Sequence, residues 1–306
     1  MEAPFLDELM TPADDISVIR GEFGGGWQGT FCGSLAGIVS DTASRSDGSI
    51  ILPAGQGDTT FRLHLWKKDM WEWLRASRQK IEEEMVGSPE WWCFSPSFYA
   101  HYVTVMPLIN RYVQGSVIDL GCGLMPFRDV LVQREVLYHS LDLRPRSSEV
   151  TYVGDVQHMP LLTASYDSAI CFEVLEHIPH PSQAVREIHR ILKPGGVVIF
   201  SVPYLSRLHD QPHDYFRFTI YGLRLLFEEA GFEVLGIQAK GGIIAFLGHQ
   251  ISTLLLSIGW PVWGVRQAVW FLNKWLITYW LYRMDRALKT SDFFALGYVG
   301  VAQKGH

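Results

Sequence analysis

Val117-Ile118-Asp119-Leu120-Gly121-Cys122-Gly123 is the stretch whose reading decides the fold. Apolar residues around one Asp, followed by Gly-x-Gly, predict a buried parallel strand running into a tight loop. Glycine lets the backbone turn sharply and lets a ligand approach, because no Cβ intervenes. The loop falls at the carboxyl end of the strand, where open α/β sheets hold their ligands. Taken alone the pattern is weak, since many strands end in glycine turns that bind nothing. The flanking segments strengthen it.

Downstream, strand-like and helix-like segments alternate. Residues 125–134 read as a crossover helix and residues 138–142 as a second strand ending on Asp142. An acid about twenty residues past a glycine loop, at a strand end, is placed for a ribose diol; a helix cap or turn is the plainer use. Residues 152–156 give a short third strand closing on Asp155-Val156, and residues 166–172 a fourth that ends at Glu173. Pro181 and Ser182 open a helix that Lys193-Pro194-Gly195-Gly196 ends. Residues 197–202, 232–238 and 293–302 supply strands five to seven, with a helix at 219–230. Such alternation predicts an α/β domain with a largely parallel sheet.

The chain has 306 residues, enough for a sizeable core. A net charge of −6 argues against nucleic acid as a partner. Cys32, Cys93, Cys122 and Cys171 have neither metal-ligand nor disulfide spacing, which fits a reducing, cytoplasmic setting. The acidic first fifteen residues lack the pattern of a secretory leader. Residues 1–65 are rich in breakers and small polar residues and read as a poorly defined extension. Residues 66–115 read as helices covering the sheet, with Trp91-Trp92 between them either lining a pocket or packing in the core.

Asp119-Leu120-Gly121-Cys122-Gly123, Asp142, Gly154-Asp155, Glu173-Val174-Leu175-Glu176-His177 and Leu192-Lys193-Pro194-Gly195-Gly196 occur in order. Together they resemble the class I S-adenosylmethionine-dependent methyltransferases over residues 110–240 and the last strand. His209, Pro212, Asp214-Tyr215, Arg217-Phe218-Thr219 and Ala230-Gly231-Phe232 look like those of polysaccharide and O-antigen clusters. The resemblance implies a Rossmann-like sheet of seven strands with the seventh antiparallel, from residues 116–240 and 292–306. It also implies S-adenosylmethionine as cofactor. Asp119 would organise the glycine loop, and Cys122 and Leu143 would lie beside the cofactor. Asp155 would accept from the adenine amino group next to Val156, Glu173 would lie near the methionine end, and His177 would support the pocket.

The chemistry accounts for these residue types independently. Gly121 and Gly123 leave room for an amino-acid end, Asp142 suits ribose hydroxyls, and acids favour a cationic sulfonium. Methyl transfer to a hydroxyl also needs a base, and His213 and His209 follow strand five, where acceptors sit in this fold. Their alternative use is to pin that loop. Tyr204, Asp214, Tyr215 and Arg217 are candidate acceptor contacts, although Arg217 is equally placed to pair with Asp214. Pro212 breaks any helical His209/His213 ligand pair, so no metal is expected.

Residues 241–291 replace the short hairpin usual between the last two strands. Residues 241–265 carry no Asp, Glu, Lys or Arg. Trp260, Trp263, Trp270, Trp275, Tyr279, Trp280 and Tyr282 follow, interspersed with Arg266, Lys274, Arg283, Arg286 and Lys289. Aromatics beside cations predict a helical hairpin lying in a membrane interface; a lid or homodimer face is the alternative. Both ends must return to one sheet, which disfavours a single crossing. The expected acceptor is a small molecule or, on the membrane reading, a lipid-linked glycan or other amphiphile at the inner membrane face. A nicotinamide-dependent oxidoreductase and a non-catalytic membrane adaptor are the readings from other classes.

Overall fold

A computed structural model describes residues 59–262 and 264–305. The chain divides at Trp73 into two compact units. Of the smaller, the described part is residues 59–72, the opening of helix α1 (Thr59–Met85). Most of the expected extension 1–65, including Cys32, lies outside the described residues, as does Trp263.

The larger unit contains strands β1 (Ser116–Leu120), β2 (Leu137–Asp142), β3 (Tyr152–Val153), β4 (Tyr166–Phe172), β5 (Leu192–Pro203), β6 (Phe232–Ala239) and β7 (Gly297–Lys304). They form one sheet in the order β3-β2-β1-β4-β5-β7-β6. Strands β1 to β5 pair in parallel, and β7 runs antiparallel between β5 and β6. The order reverses direction between β1 and β4, so the crevice at a topological switch point opens beside the glycine loop.

Both faces of the sheet are covered. On one, helices α4 (Pro181–Ile191) and α5 (Ile220–Glu229) bring Val185, Ile188, Leu223 and Phe227 against Ile118, Val198 and Phe200. Helix α5 starts at Thr219, whose side chain accepts from Gly222 N at 3.1 Å. On the other face, helix α2 (Pro96–Tyr112) packs Val105, Leu108 and Ile109 with Trp91, Trp92 and Phe94 against Val117, Ile170 and Ile199. Ser95 caps α2, with Pro96 in its first turn.

Several boundaries differ from expectation for local reasons. The crossover helix is only α3 (Arg128–Val132), because Met125 adopts a φ of +54° and precedes Pro126. The third strand stops at Val153, and Asp155 instead folds back on Gln157. Strand β5 begins at Leu192, through the Lys-Pro-Gly-Gly segment, since Leu192 already pairs with Tyr166. Strand seven starts at Gly297 rather than 293.

The insertion folds as α6 (Ile243–Gly259), α7 (Arg266–Leu272), a π-helical stretch (Asn273–Trp280) and α8 (Leu281–Ala287). Asp285, 1% exposed, accepts from the backbone N–H groups of Gly242, Ile244 and Ala245, fixing the start of α6. The face of α6 turned into the protein carries mostly small residues: Ala245, Gly248, Ser252, Ser257 and Gly259 are buried, together with Leu256. A Cβ on Gly248 would sit 2.7 Å from Pro96 Cγ and 2.9 Å from Leu281 Cδ1, so the helices approach closely. The outward face carries the large residues Leu247, Ile251, Leu254 and Ile258, each about half exposed or more. Among the described residues no helix is long and apolar enough to cross a membrane.

Candidate active site

The glycine loop hangs between β1 and β2. Gly121 N and Cys122 N both donate to Leu141 O, at 2.8 and 3.3 Å. Gly123 N donates to Asp142 Oδ2 at 2.9 Å, and Asp142 Oδ1 accepts from Arg144 N at 2.7 Å. Asp142 thus ties the loop to the end of β2. Gly121 has φ +66°, and a Cβ there would lie 2.5 Å from Val174 Cγ2. Close approach of the β1 and β4 loops therefore demands glycine at this position.

Asp119 is 4% exposed and accepts from the Tyr138 hydroxyl at 3.0 Å. Burial raises its pKa to about 7; the Tyr138 hydrogen bond opposes this and the nearby Asp142 charge adds to it. Burial likewise pushes the Cys122 thiol up to about 12, which makes it an inert wall rather than a nucleophile.

Glu173, at the tip of β4, adopts φ +56°, a conformation costly for a residue with a side chain and common at ligand sites. Its Oε1 accepts from Ser201 Oγ at 2.7 Å and from Lys240 Nζ. Burial works against the charge of Glu173, but Lys240 outweighs it and holds the carboxylate ionised. His101 stands nearby on α2, half-buried, with a buried Nδ1 that lacks a hydrogen-bond partner. Burial first, then Lys240, lowers its pKa to about 3, so the imidazole is neutral.

These groups line a cleft of about 180 Å³. Asp119, Gly121, Cys122, Glu173 and Lys240 form one side; Trp91, Trp92, Phe98, His101, Phe127 and Phe172 form an aromatic wall. Trp91 and Trp92 are buried and also line the cleft, so both uses considered for them apply. A larger open groove of about 360 Å³ beside α4 is lined by Gln157, His158, Gln183, Arg186, Glu187 and Arg190 and includes no glycine-loop residue.

Asp155 follows β3 at the same sheet edge, its carboxylate held by Gln157 N at 2.8 Å and Gln157 Nε2 at 3.0 Å. Val156 is buried, and Leu143 is 58% exposed. The loop after β5 folds over the turn after β4: Tyr215 N and Phe216 N donate to Glu176 O. His177 Nδ1 donates to His213 O at 2.7 Å, so His177 supports this loop. Asp214 forms a paired contact with Arg217, at 2.6 and 2.8 Å, and accepts from His209 N. That pairing, followed by the His209 bond, holds Asp214 well below the ordinary carboxylate range. Tyr204 and Tyr215 are both exposed.

The two candidate bases part company. His213 lies with Nε2 3.5 Å from Arg144 Nη2 and Nδ1 2.9 Å from the Tyr215 hydroxyl. His209 turns inward, its Nε2 3.8 Å from Glu176 Oε1. Glu176 is fully buried, and neither of its carboxylate oxygens has a hydrogen-bond partner. Glu176 attracts a proton to His209, whereas its own pKa is raised by burial. No sequence signal marked Lys240 or His101. Glu176 was visible within the Glu-x-x-Glu-His segment but without a role.

Residues 92–237 match the protein family described as "Methyltransferase domain". A Mycolicibacterium smegmatis protein described as a probable S-adenosylmethionine-dependent methyltransferase is 33% identical over 164 residues, 48% of this chain and 64% of that protein. The ubiquinone biosynthesis O-methyltransferase of Paracidovorax citrulli is 28% identical over 133 residues, 36% of this chain and 56% of that protein. The match thus spans under two thirds of either relative's length. Of solved structures, a SAM-dependent methyltransferase from Archaeoglobus fulgidus is 14% identical, covering 67% of this chain and 94% of that chain, with a TM-score of 0.45. The glycine loop and the strand-end acids all lie within residues 92–237, so this part of the chain carries a methyltransferase domain, of the class I S-adenosylmethionine-dependent kind.

Proposed function

We propose that this chain transfers a methyl group from S-adenosylmethionine to a hydroxyl of an amphiphilic acceptor presented at a membrane surface. The observation that carries the donor half is the crevice in which Asp119, Gly121 and Glu173 meet beside Asp142. Acids there favour a cationic sulfonium, and glycine amides leave room for its amino-acid end. S-adenosylmethionine held there would supply the methyl group to the acceptor oxygen and be left as S-adenosylhomocysteine. The protein's part is alignment and removal of the hydroxyl proton. We assign that proton to His213, on the loop after β5, whose Nδ1 lies 2.9 Å from the Tyr215 hydroxyl.

Titration calorimetry with S-adenosylhomocysteine tests the donor site. Asp142→Ala frees the Gly123 loop and removes the ribose acceptor, and binding is expected to weaken at least about thirtyfold, as loss of a charged hydrogen-bond partner implies. Unchanged affinity would remove the crevice from consideration. His213→Ala is expected to lower kcat by about a hundredfold or more while S-adenosylhomocysteine affinity stays near wild type. A change in affinity alone would make His213 a loop support.

The amphiphilic acceptor rests on the inverted character of α6. Apart from Leu256, its buried residues are small, while Leu247, Ile251, Leu254 and Ile258 face outward, as on helices adapted to lipid. Phe271, Trp275, Leu276 and Trp280 of the insertion are also about half exposed or more, and Arg283, Arg286 and Lys289 are exposed. Cytosolic membrane leaflets are anionic, which suits such a rim. Flotation with anionic phospholipid vesicles is expected to carry the wild type but not Ile251→Glu/Ile258→Glu. A wild type that stays at the bottom as a dimer, and becomes monomeric in that variant, would establish the dimer face instead.

A further inference from the structure

The Glu176 cluster has no use in the methyl-transfer reading. Its oxygens are buried and bare, which normally costs a charged group several kcal/mol. Two imidazoles face it. His177 Nε2 lies 3.5 Å and His209 Nε2 3.8 Å from Glu176 Oε1. One ligand atom from each of the three falls within 4.8 Å of the others.

The outer contacts set the tautomers. His177 Nδ1 meets His213 O at 2.7 Å, and His209 Nδ1 meets Arg207 O at 3.2 Å. A carbonyl only accepts, so both Nδ1 atoms carry hydrogen and both Nε2 lone pairs turn toward Glu176 in the neutral rings. Backbone carbonyls holding the far nitrogen are the usual outer shell of a metal-binding histidine. A shared proton would draw Nε2 and Oε1 to about 2.8 Å. The observed separations are longer, close to the roughly 3.4 Å edge of a tetrahedron whose ligands lie about 2.1 Å from a central ion. Asp210 Oδ2, 3.9 Å from His177 Nε2, stands where a fourth ligand belongs. Two carboxylates and two neutral imidazoles would balance a divalent charge.

We propose that Glu176, His177 and His209, with Asp210 at the open side, form a binding site for a zinc-class divalent cation. Two nitrogens and carboxylate oxygen suit zinc or cobalt better than magnesium or calcium, which prefer oxygen alone. The expectation of no metal considered His209 with His213; the residues that converge include Glu176 and His177 instead. The site joins the turn after β4 to the loop after β5, so the ion would lock that loop over the sheet edge. It would also offer a Lewis-acidic position at the edge where the acceptor is proposed to enter.

Cobalt is the probe. Untagged full-length protein, stripped with chelator, is titrated with Co²⁺ and read by visible d–d absorption. One equivalent is expected to give the intense bands of a four- or five-coordinate site, displaced by one equivalent of Zn²⁺. His177→Ala, His209→Ala and the isosteric Glu176→Gln are each expected to weaken binding more than about a hundredfold, beyond the effect of losing an outer-shell partner. His213→Ala keeps the carbonyl that holds His177 and should bind like wild type. Weak, unsaturable uptake with octahedral bands, or equal binding by Glu176→Gln and wild type, would overturn the proposal. Calorimetry with S-adenosylhomocysteine on the same preparations reports whether each variant is folded, and tests the methyl-donor reading separately.

Discussion

Glu173→Gln is expected to destabilise the protein by about 3 kcal/mol, and adding Lys240→Met is expected to recover most of that loss. Lys240 is 4% exposed, and its ammonium bonds to Glu173 Oε1. Removing one partner of a buried ion pair strands the other and costs about 3–5 kcal/mol. The Glu173 side chain remains 37% exposed, so water softens the penalty and the lower end applies. For a domain of this size, about 3 kcal/mol lowers Tm by roughly 6–12 °C. The double variant removes both charges, and Met fills the space of the lysine stem beside the aromatic wall. Replacing an entire buried pair by apolar groups is often neutral. Denaturant unfolding of the four proteins should therefore give a coupling energy of about 2 kcal/mol or more. Strict additivity would mean that Lys240 is not held by Glu173. The pair has a functional side too. It keeps a carboxylate ionised at the tip of β4, on a backbone conformation of φ +56°, in the crevice proposed to take the cationic donor.

Local chemistry made the glycine-loop crevice legible. Strand β1 is buried on both faces, so it reads as an apolar run, and Gly121 is confined by φ and by Val174, so it is conspicuous. Asp142 and Glu173 end strands, and strand ends can be counted off in sequence. Other partners lie far apart in the chain. Lys240 and Glu173 are 67 residues apart, and a lysine at the end of a strand reads as surface although this one lies in the cleft beside Glu173. His101 is one polar residue on a helix whose burial depends on Trp92 and Phe127 packing over it. The Glu176 cluster needs the loop after β5 to fold back, a tertiary event that the motif does not announce. Two features were readable and overlooked. Met125 precedes a proline, which already opposed a helix beginning there. Ala245, Gly248 and Ser252 recur at three- and four-residue spacing, which marks a close-packed helix face.

Asp119→Asn is expected to make the protein more stable near neutral pH, while weakening its hold on the methyl donor. Asp119 is held in the fold with a pKa of about 7, against an ordinary 3.8, chiefly because it is buried. The folded state therefore binds a proton more tightly than the unfolded state between those values. Its contribution to stability is fully present below about pH 4, declines as pH rises, and has become a fixed penalty above about pH 7. A rise from 3.8 to about 7 corresponds to an upper bound of roughly 4 kcal/mol. Asparagine still accepts from the Tyr138 hydroxyl but carries no charge, so unfolding near pH 8 should show a gain of about 2–4 kcal/mol that vanishes near pH 4. Parallel stability profiles for the two proteins would show that Asp119 is not destabilised by burial. A charge retained at such a cost makes physical sense if a cation arrives to meet it. The ammonium of S-adenosylhomocysteine, entering beside Asp119, should lower its pKa and expel the proton. Calorimetry near pH 7 in two buffers of different ionisation enthalpy should then register proton release with wild type and a smaller release with Asp119→Asn. Release of the same size in both proteins would place the titrating group elsewhere, leaving the Asp119 carboxylate without a part in holding the donor.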